Sequence, residues 1–389
     1  MRCRRLVHAV AALLAVGCGV PPGLERGDWE EPEPSIFQTG PYIVLGRPGT
    51  AYVALRADGI PAPVVEWWVA SAVESTGPMA GAQPVVRKVL SVREQDLWVA
   101  RLDDLPIGPK VSYRVHSAAG DSAEHAFHAG AAGATHFRFA VFGDTRTGHS
   151  VHRQLMEALD KEDIDFLVHT GDMVERGGRK EEWMRFFQIE REVLADMPIV
   201  PAIGNHDVSA RRYFERYFLQ DRWSDDRHFY TFDWGNLRIV VLDSGIECRS
   251  GCEQFAFAER ALREGARRGQ LMAMMLHYPA YSSGRHGPSL NVQKPVSDLA
   301  RRYGVELVIT GHDHHYERTK PIEGTTYIVS GSAGAPVRPV SPRWFTAEAR
   351  TEPHYILIDV DEKRLIMRAV NLQGDTFDTH VMEDLPPAK

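Results

Sequence analysis

A basic surplus is missing from this chain. Its 45 Lys and Arg are outnumbered by 52 Asp and Glu, and the formal net charge is −7. Binding to a nucleic-acid backbone relies on the opposite balance, so no nucleic-acid partner is expected. Long apolar runs are missing too. Residues 6–16 form the one apolar stretch of note, and it is too short to span a bilayer. The Walker, Gly-x-Ser-x-Gly and His-Glu-x-x-His patterns are absent, which removes three common classes of hydrolase. No repeat with a period of 20–50 residues is found. What is present is an ordinary globular balance, 43% hydrophobic and 25% charged over 389 residues, with 17 histidines. That length suits about two to three domains.

Residues 1–17 read as a secretory signal. Arg2, Arg4 and Arg5 form the positive region, residues 6–16 the apolar one, and Ala15-Val16-Gly17 sets small residues before Cys18. A cysteine in that position resembles a bacterial lipobox. The resemblance implies a lipidated Cys18, a membrane partner reached through that lipid, and export to the cell envelope, at the outer membrane or the periplasmic face. Ordinary signal cleavage stays open, with Ala15 where Leu or Val is usual. Residues 18–37, rich in Pro, Gly and acid, read as a disordered tether. Cys248 and Cys252 enclose Arg-Ser-Gly, and an oxidising compartment favours a local disulfide between them.

Residues 38–130 carry short β-type segments at 51–55, 64–69, 97–102 and 111–115, punctuated by Pro and Gly. They predict a small β-sandwich. His116, His125 and His128 are expected to be structural or exposed there. Residues 131–136 read as a linker. From 137 to 389 buried-type strands alternate with amphipathic helices, the pattern of an α/β domain. Strands are predicted at 137–142, 166–169, 199–203, 237–242, 271–276, 305–309 and 327–329. Helices are predicted at 151–161, 181–194 and 254–268.

Five of these strands end in polar groups. They are Gly143-Asp144-Thr-Arg146, Gly171-Asp172, Gly204-Asn205-His206-Asp207, His277-Tyr-Pro279 and Gly311-His312-Asp313-His314-His315. Ligand sites of open α/β sheets form beyond the carboxyl ends of their strands. Asp, Asn and His supply oxygen and nitrogen ligands, and no cysteine lies in these groups, so the set suits Mn, Fe or Zn.

The five motifs, in this order, resemble the calcineurin-like metallophosphoesterases. His314-His315-Tyr316-Glu317-Arg318 is similar to the purple acid phosphatase branch. The resemblance implies a fibronectin type III-like sandwich followed by a layered α/β/β/α metallophosphoesterase domain. It also implies two metal ions. Asp144 and His314 would hold the first, Asn205, His277 and His312 the second, and Asp172 would bridge them. A hydroxide between the ions would attack phosphorus in line. His206 would donate to the phosphoryl oxygen or leaving group, with Asp207 orienting it. His286 would face the substrate from a loop.

Two positions depart from the family. Glu175 stands where purple acid phosphatases carry a tyrosine, and Arg146 where other metallophosphoesterases carry the histidine of Asp-x-His. A water, Glu175, His149 or His152 is left to complete the first metal. Arg146 reads either as a fork for substrate phosphate or as a loop salt bridge. The expected activity is a phosphomonoesterase acting on a phosphorylated small molecule. A phosphodiesterase or nucleotidase on the same fold, and a non-catalytic surface binding protein, are the alternatives. His169 and His315 are expected to be structural.

Overall fold

The computed structural model describes residues 36–69, 86–94, 96–220, 228–246 and 252–383. The predicted leader, Cys18, most of the tether and Cys248 lie outside them.

The first part of the chain forms two antiparallel sheets. One runs in the order Thr39–Leu45, Ala51–Arg56, Leu97–Leu102, Val92–Glu94. The other is built on Lys110–Ser117, paired with Val64–Val69 on one side and with Gly120–Asp121 and His125–His128 on the other, and Arg87–Leu90 completes it. Alternating residues close a core between the sheets. Ile43, Val53 and Leu102 come from the first sheet, and Val65, Trp67 and Tyr113 from the second. The first sheet's opposite face, with Tyr42, Val44 and Tyr52, joins the core under the helices of the second part. The Tyr42 hydroxyl donates to the Tyr217 carbonyl at 2.8 Å, and the Tyr113 hydroxyl to the Ala195 carbonyl at 2.8 Å. His125 lies 3.4 Å from Asp196, and His128 meets the Gly108 carbonyl at 2.8 Å, so both serve structure.

Two mixed sheets face each other in the second part. One has the order Ile199–Pro201, Phe166–His169, His136–Phe142, His354–Asp361, Arg364–Asn371, Thr376–Glu383. The other has Tyr230–Trp234, Leu237–Val241, Leu271–Met275, Leu307–Thr310, Thr326–Ser330, Tyr316–Thr319, Thr346–Arg350. Their parallel strands, such as Phe166–His169 and Leu271–Met275, are buried throughout, because both faces are covered. Phe139, Val141 and Val168 meet Ile239, Met275 and Ile309 between the sheets. Helices His149–Leu159, Lys180–Ile189 and Arg191–Asp196 cover the first sheet, and Glu253–Arg268 and Leu290–Tyr303 the second. The layers are therefore α/β/β/α.

The predicted helix 181–194 is two helices. They meet at Glu190, whose buried carboxylate holds His152 Nε2 at 2.8 Å. The predicted strand at 305–309 starts two residues later, at Leu307.

Candidate metal centre

Five parallel strands deliver the polar groups to one rim. His136–Phe142 leads into Asp144, Phe166–His169 into Asp172, and Ile199–Pro201 into Asn205 and His206. From the facing sheet, Leu271–Met275 leads into His277, and Leu307–Thr310 into His312 and His314. The turns are sharp. Asp144, Asp172 and His312 have φ of +56°, +56° and +69°, a region that side chains other than glycine rarely adopt. Two glycines let the loops touch. A Cβ on Gly204 would lie 2.1 Å from the Asp172 nitrogen, and one on Gly311 would lie 2.6 Å from Asp144 Oδ2.

Asp144, Asp172 and His277 are buried and offer ligand atoms within 4.8 Å of one another. Asp144 Oδ2 accepts the His312 N–H at 3.0 Å, while its buried Oδ1 has no hydrogen-bond partner. His277 Nδ1 donates to the Thr170 carbonyl at 2.9 Å. That fixes Nε2 toward two oxygens, Asn205 Oδ1 at 3.2 Å and Asp172 Oδ1 at 3.4 Å. A ring nitrogen facing two oxygens suits a cation between them. In the bare protein a proton serves: burial opposes it, but the Asp172 carboxylate outweighs burial and pushes the ring's pKa up to about 9. Burial likewise acts to raise Asp172, yet His277 holds it well below the ordinary carboxylate range. Asp144 is raised well above that range, chiefly by burial. These donors fit a divalent ion of the Mn, Fe or Zn type.

His312 belongs to the same cluster. Its ring centroid lies 5.2 Å from His277 and 4.5 Å from Tyr278. Burial, helped by His277, pushes its pKa down to about 2, so it is a neutral ring with a lone pair to give. His314 is also neutral, lowered to about 3 by burial and then by Arg338 and Arg146. Its Nδ1 donates to the Pro336 carbonyl at 2.9 Å, and Nε2 lies 3.6 Å from Asp144 Oδ1. His206 Nδ1 donates to the Glu175 carbonyl at 2.8 Å, which leaves Nε2 on the side of Asp172 Oδ2, 3.9 Å away.

Asp207 does something other than the expected orienting of His206. Its carboxylate accepts four backbone N–H groups, from Asp172 (2.9 Å), Met173 (3.0 Å), Val174 (3.3 Å) and Gly204 (2.9 Å). The Glu175 carbonyl holds the His206 ring instead. His152 is committed to Glu190 within the helical layer and is no candidate for the metal. Glu175 pairs with the Arg146 guanidinium. His169 binds Thr145 Oγ1 at 3.2 Å, and His315 binds Glu317 at 3.2 Å, both buried and structural.

His286 is brought to the rim, its ring 4.5 Å from that of His312. The Asp313 carboxylate fixes its loop by accepting the His286 backbone N–H at 3.0 Å and the Ser282 hydroxyl at 2.5 Å. Arg338 was not singled out from the sequence. Its Nη1 lies 2.7 Å from His286 Nε2, and its backbone N–H donates to the His314 carbonyl at 2.8 Å. No motif marks it, since the run around it is irregular chain that only the fold carries to the rim. Beside Arg146 opens a cavity of about 410 Å³, lined by His149, Glu175, Arg176, Arg179 and Arg185 among others.

Residues 137–316 match the family model of the calcineurin-like phosphoesterases. That stretch is similar to the domain. It is also 27% identical over 233 residues to a probable inactive purple acid phosphatase 24 of Arabidopsis thaliana, covering 48% of this chain and 37% of that protein. A nucleotide pyrophosphatase/phosphodiesterase of Hordeum vulgare is 26% identical over 235 residues, covering 49% of this chain and 63% of that one. The chain thus spans less than two thirds of these relatives. Among solved structures, a purple acid phosphatase from yellow lupin (Lupinus luteus) seeds superposes with a TM-score of 0.75 at 19% identity, over 90% of this chain and 75% of that one. That likeness is one of fold.

Proposed function

We propose that this protein is an exported, metal-dependent hydrolase of phosphoric esters, acting on a phosphorylated small molecule as a phosphomonoesterase. The observation that carries the reading is the convergence of Asp144, Asp172 and His277 at the strand ends of two facing sheets, with ligand atoms within 4.8 Å. A bound divalent ion would supply Lewis-acid polarisation of the ester and activation of water. Asp172, Asn205, His277 and His312 would hold it, with Asp144 beside them. The residues around them do the rest. His206, held through Nδ1, presents Nε2 to a phosphoryl oxygen or to the leaving oxygen as proton donor. Arg338, donating to His286 Nε2, sets its guanidinium at the edge of the site for the remaining phosphoryl oxygens. The cavity beside Arg146 offers room for the alcohol portion of the substrate.

The resemblance implies a dinuclear form in which Asp172 is shared between two ions. The contacts of Arg146 weigh against the first ion, the one assigned to Asp144 and His314. A phosphodiesterase or nucleotidase is the second reading, favoured by the likeness to the Hordeum vulgare relative. The sequence at Arg2 to Cys18 supports export with a lipid on Cys18 and attachment to the cell envelope. The two antiparallel sheets of the first part support the fibronectin type III-like reading.

Purified protein loaded with Mn, Fe or Zn and offered a chromogenic monoester and a chromogenic diester tests the proposal. Metal-dependent turnover of the monoester is expected. Preference for the diester selects the second reading, and turnover of neither, with metal bound, leaves a non-catalytic binding protein.

A further inference from the structure

The metal ligands that the resemblance assigns divide into two halves, and the two halves differ. Around the second ion's place, Asp172 Oδ1, Asn205 Oδ1 and His277 Nε2 converge with no arginine among them. Around the first ion's place, His314 and Asp172 already face a cation, while Asp144 Oδ1 has no hydrogen-bond partner. Arg146 Nη2 lies 3.3 Å from His314 Nε2, and Arg146 Nε lies 3.6 Å from Asp172 Oδ2. Its third nitrogen, Nη1, binds the Glu175 carboxylate.

We infer that the Arg146 guanidinium takes the place of one of the two metal ions, so that the centre binds a single divalent cation. The inference rests on the metal-site reading above and refines its stoichiometry. His314 has already spent Nδ1 on the Pro336 carbonyl, so Nε2 holds its one lone pair. A lone pair that accepts from a guanidinium is not available to a metal. The planar guanidinium fork hydrogen-bonds Glu175 and His314 and turns its Nε toward the Asp172 carboxylate. The side chain is 10% exposed, so this pairing is shielded from water and from screening salt. A divalent ion placed against the same Asp172 oxygen and the same His314 nitrogen would sit in contact with a fixed positive charge in a poorly solvated place, where like charges repel strongly. Glu175, standing where the purple branch has its tyrosine, neutralises Arg146 and anchors it there. The two departures from the family are thus one device: a carboxylate and a guanidinium in place of a ligand and an ion.

The test is metal counting. The full-length protein is incubated with excess Mn(II), freed of loose metal, and analysed by elemental mass spectrometry and electron paramagnetic resonance. The expected result is about one ion per chain with the spectrum of isolated Mn(II) rather than of a coupled pair. About two ions with a coupled spectrum, or none bound at all, overturns the inference. Arg146→His, which offers a neutral nitrogen there, raises the count toward two, and Arg146→Ala serves if the histidine variant does not fold. A count that stays at one in a folded variant shows that something other than Arg146 excludes the ion, and also overturns it. These counts are read without substrate. A protein that binds one ion and hydrolyses no ester defeats the hydrolase reading and leaves the stoichiometry standing.

Discussion

The Asp207 carboxylate accepts the backbone N–H of Asp172 at 2.9 Å. The same oxygen accepts Gly204 at 2.9 Å, and the other oxygen takes Met173 and Val174. One fully buried side chain therefore ties the loop that carries Asp172 to the loop that carries Asn205. Asp207→Ala leaves these donors buried without partners, at about 1–3 kcal/mol each. The expected outcome is a loss of about 3 kcal/mol or more of stability, together with weaker metal binding. Denaturant unfolding and metal analysis of the variant check it, and an unchanged unfolding midpoint would show that other contacts hold the loops.

His206 is 28% exposed and fixed by the Glu175 carbonyl, which suits a group that meets substrate more than one that binds metal. His206→Gln is expected to lower kcat by about 10²- to 10⁴-fold with the metal count unchanged. If Nε2 protonates the leaving oxygen, the loss is greater for an alkyl phosphate than for a nitrophenyl phosphate, whose leaving group needs no proton. Equal losses on both substrates would assign His206 to the phosphoryl oxygens instead.

Two buried neutral histidines should each cost the fold stability in acid. The His354 ring lies between Ser332 Oγ, 2.7 Å from Nδ1, and Ser330 Oγ, 3.1 Å from Nε2, and it is fully buried. Burial pushes its pKa down to about 4, against 6.5 for an ordinary ring. Between those values the unfolded chain binds the extra proton. The stability due to this group is therefore present above pH 6.5 and is lost as the pH falls toward 4, at most about 3 kcal/mol. His169, lowered by burial to about 3, acts in the same direction. Melting temperatures at neutral pH and near pH 5 should show acid costing the wild type more stability than it costs His354→Gln. The same pH dependence in wild type and variant would count against a buried neutral His354.

Much of the fold was legible because its parallel strands are covered on both faces. Phe166–His169 was expected with those bounds, and 237–242 and 271–276 were one residue too long. Leu290–Tyr303 was missed, with Pro295 inside it. The strands after residue 330 were also missed. Arg364–Asn371 does alternate buried and half-buried positions, so a period of two was there to be found. The break at Glu190 could not be read, because it depends on His152, which is distant in sequence and reaches it only across two packed helices.

The rim residues announced themselves locally. A glycine before Asp144, Asp172, Asn205 and His312 at the end of an apolar strand reflects a turn that only such a local sequence tolerates, and strand-end position is a local property. Roles were a different matter. That Asp207 clamps backbone rather than orienting His206, that Arg338 reaches His286, and that Arg146 lies across His314 and Asp172 all depend on the register of two separate sheets brought face to face. Local sequence records which donors and acceptors a chain carries. Which of them meet is set by long-range packing, and at this rim the packing decides how much positive charge is built in and how much must be bound.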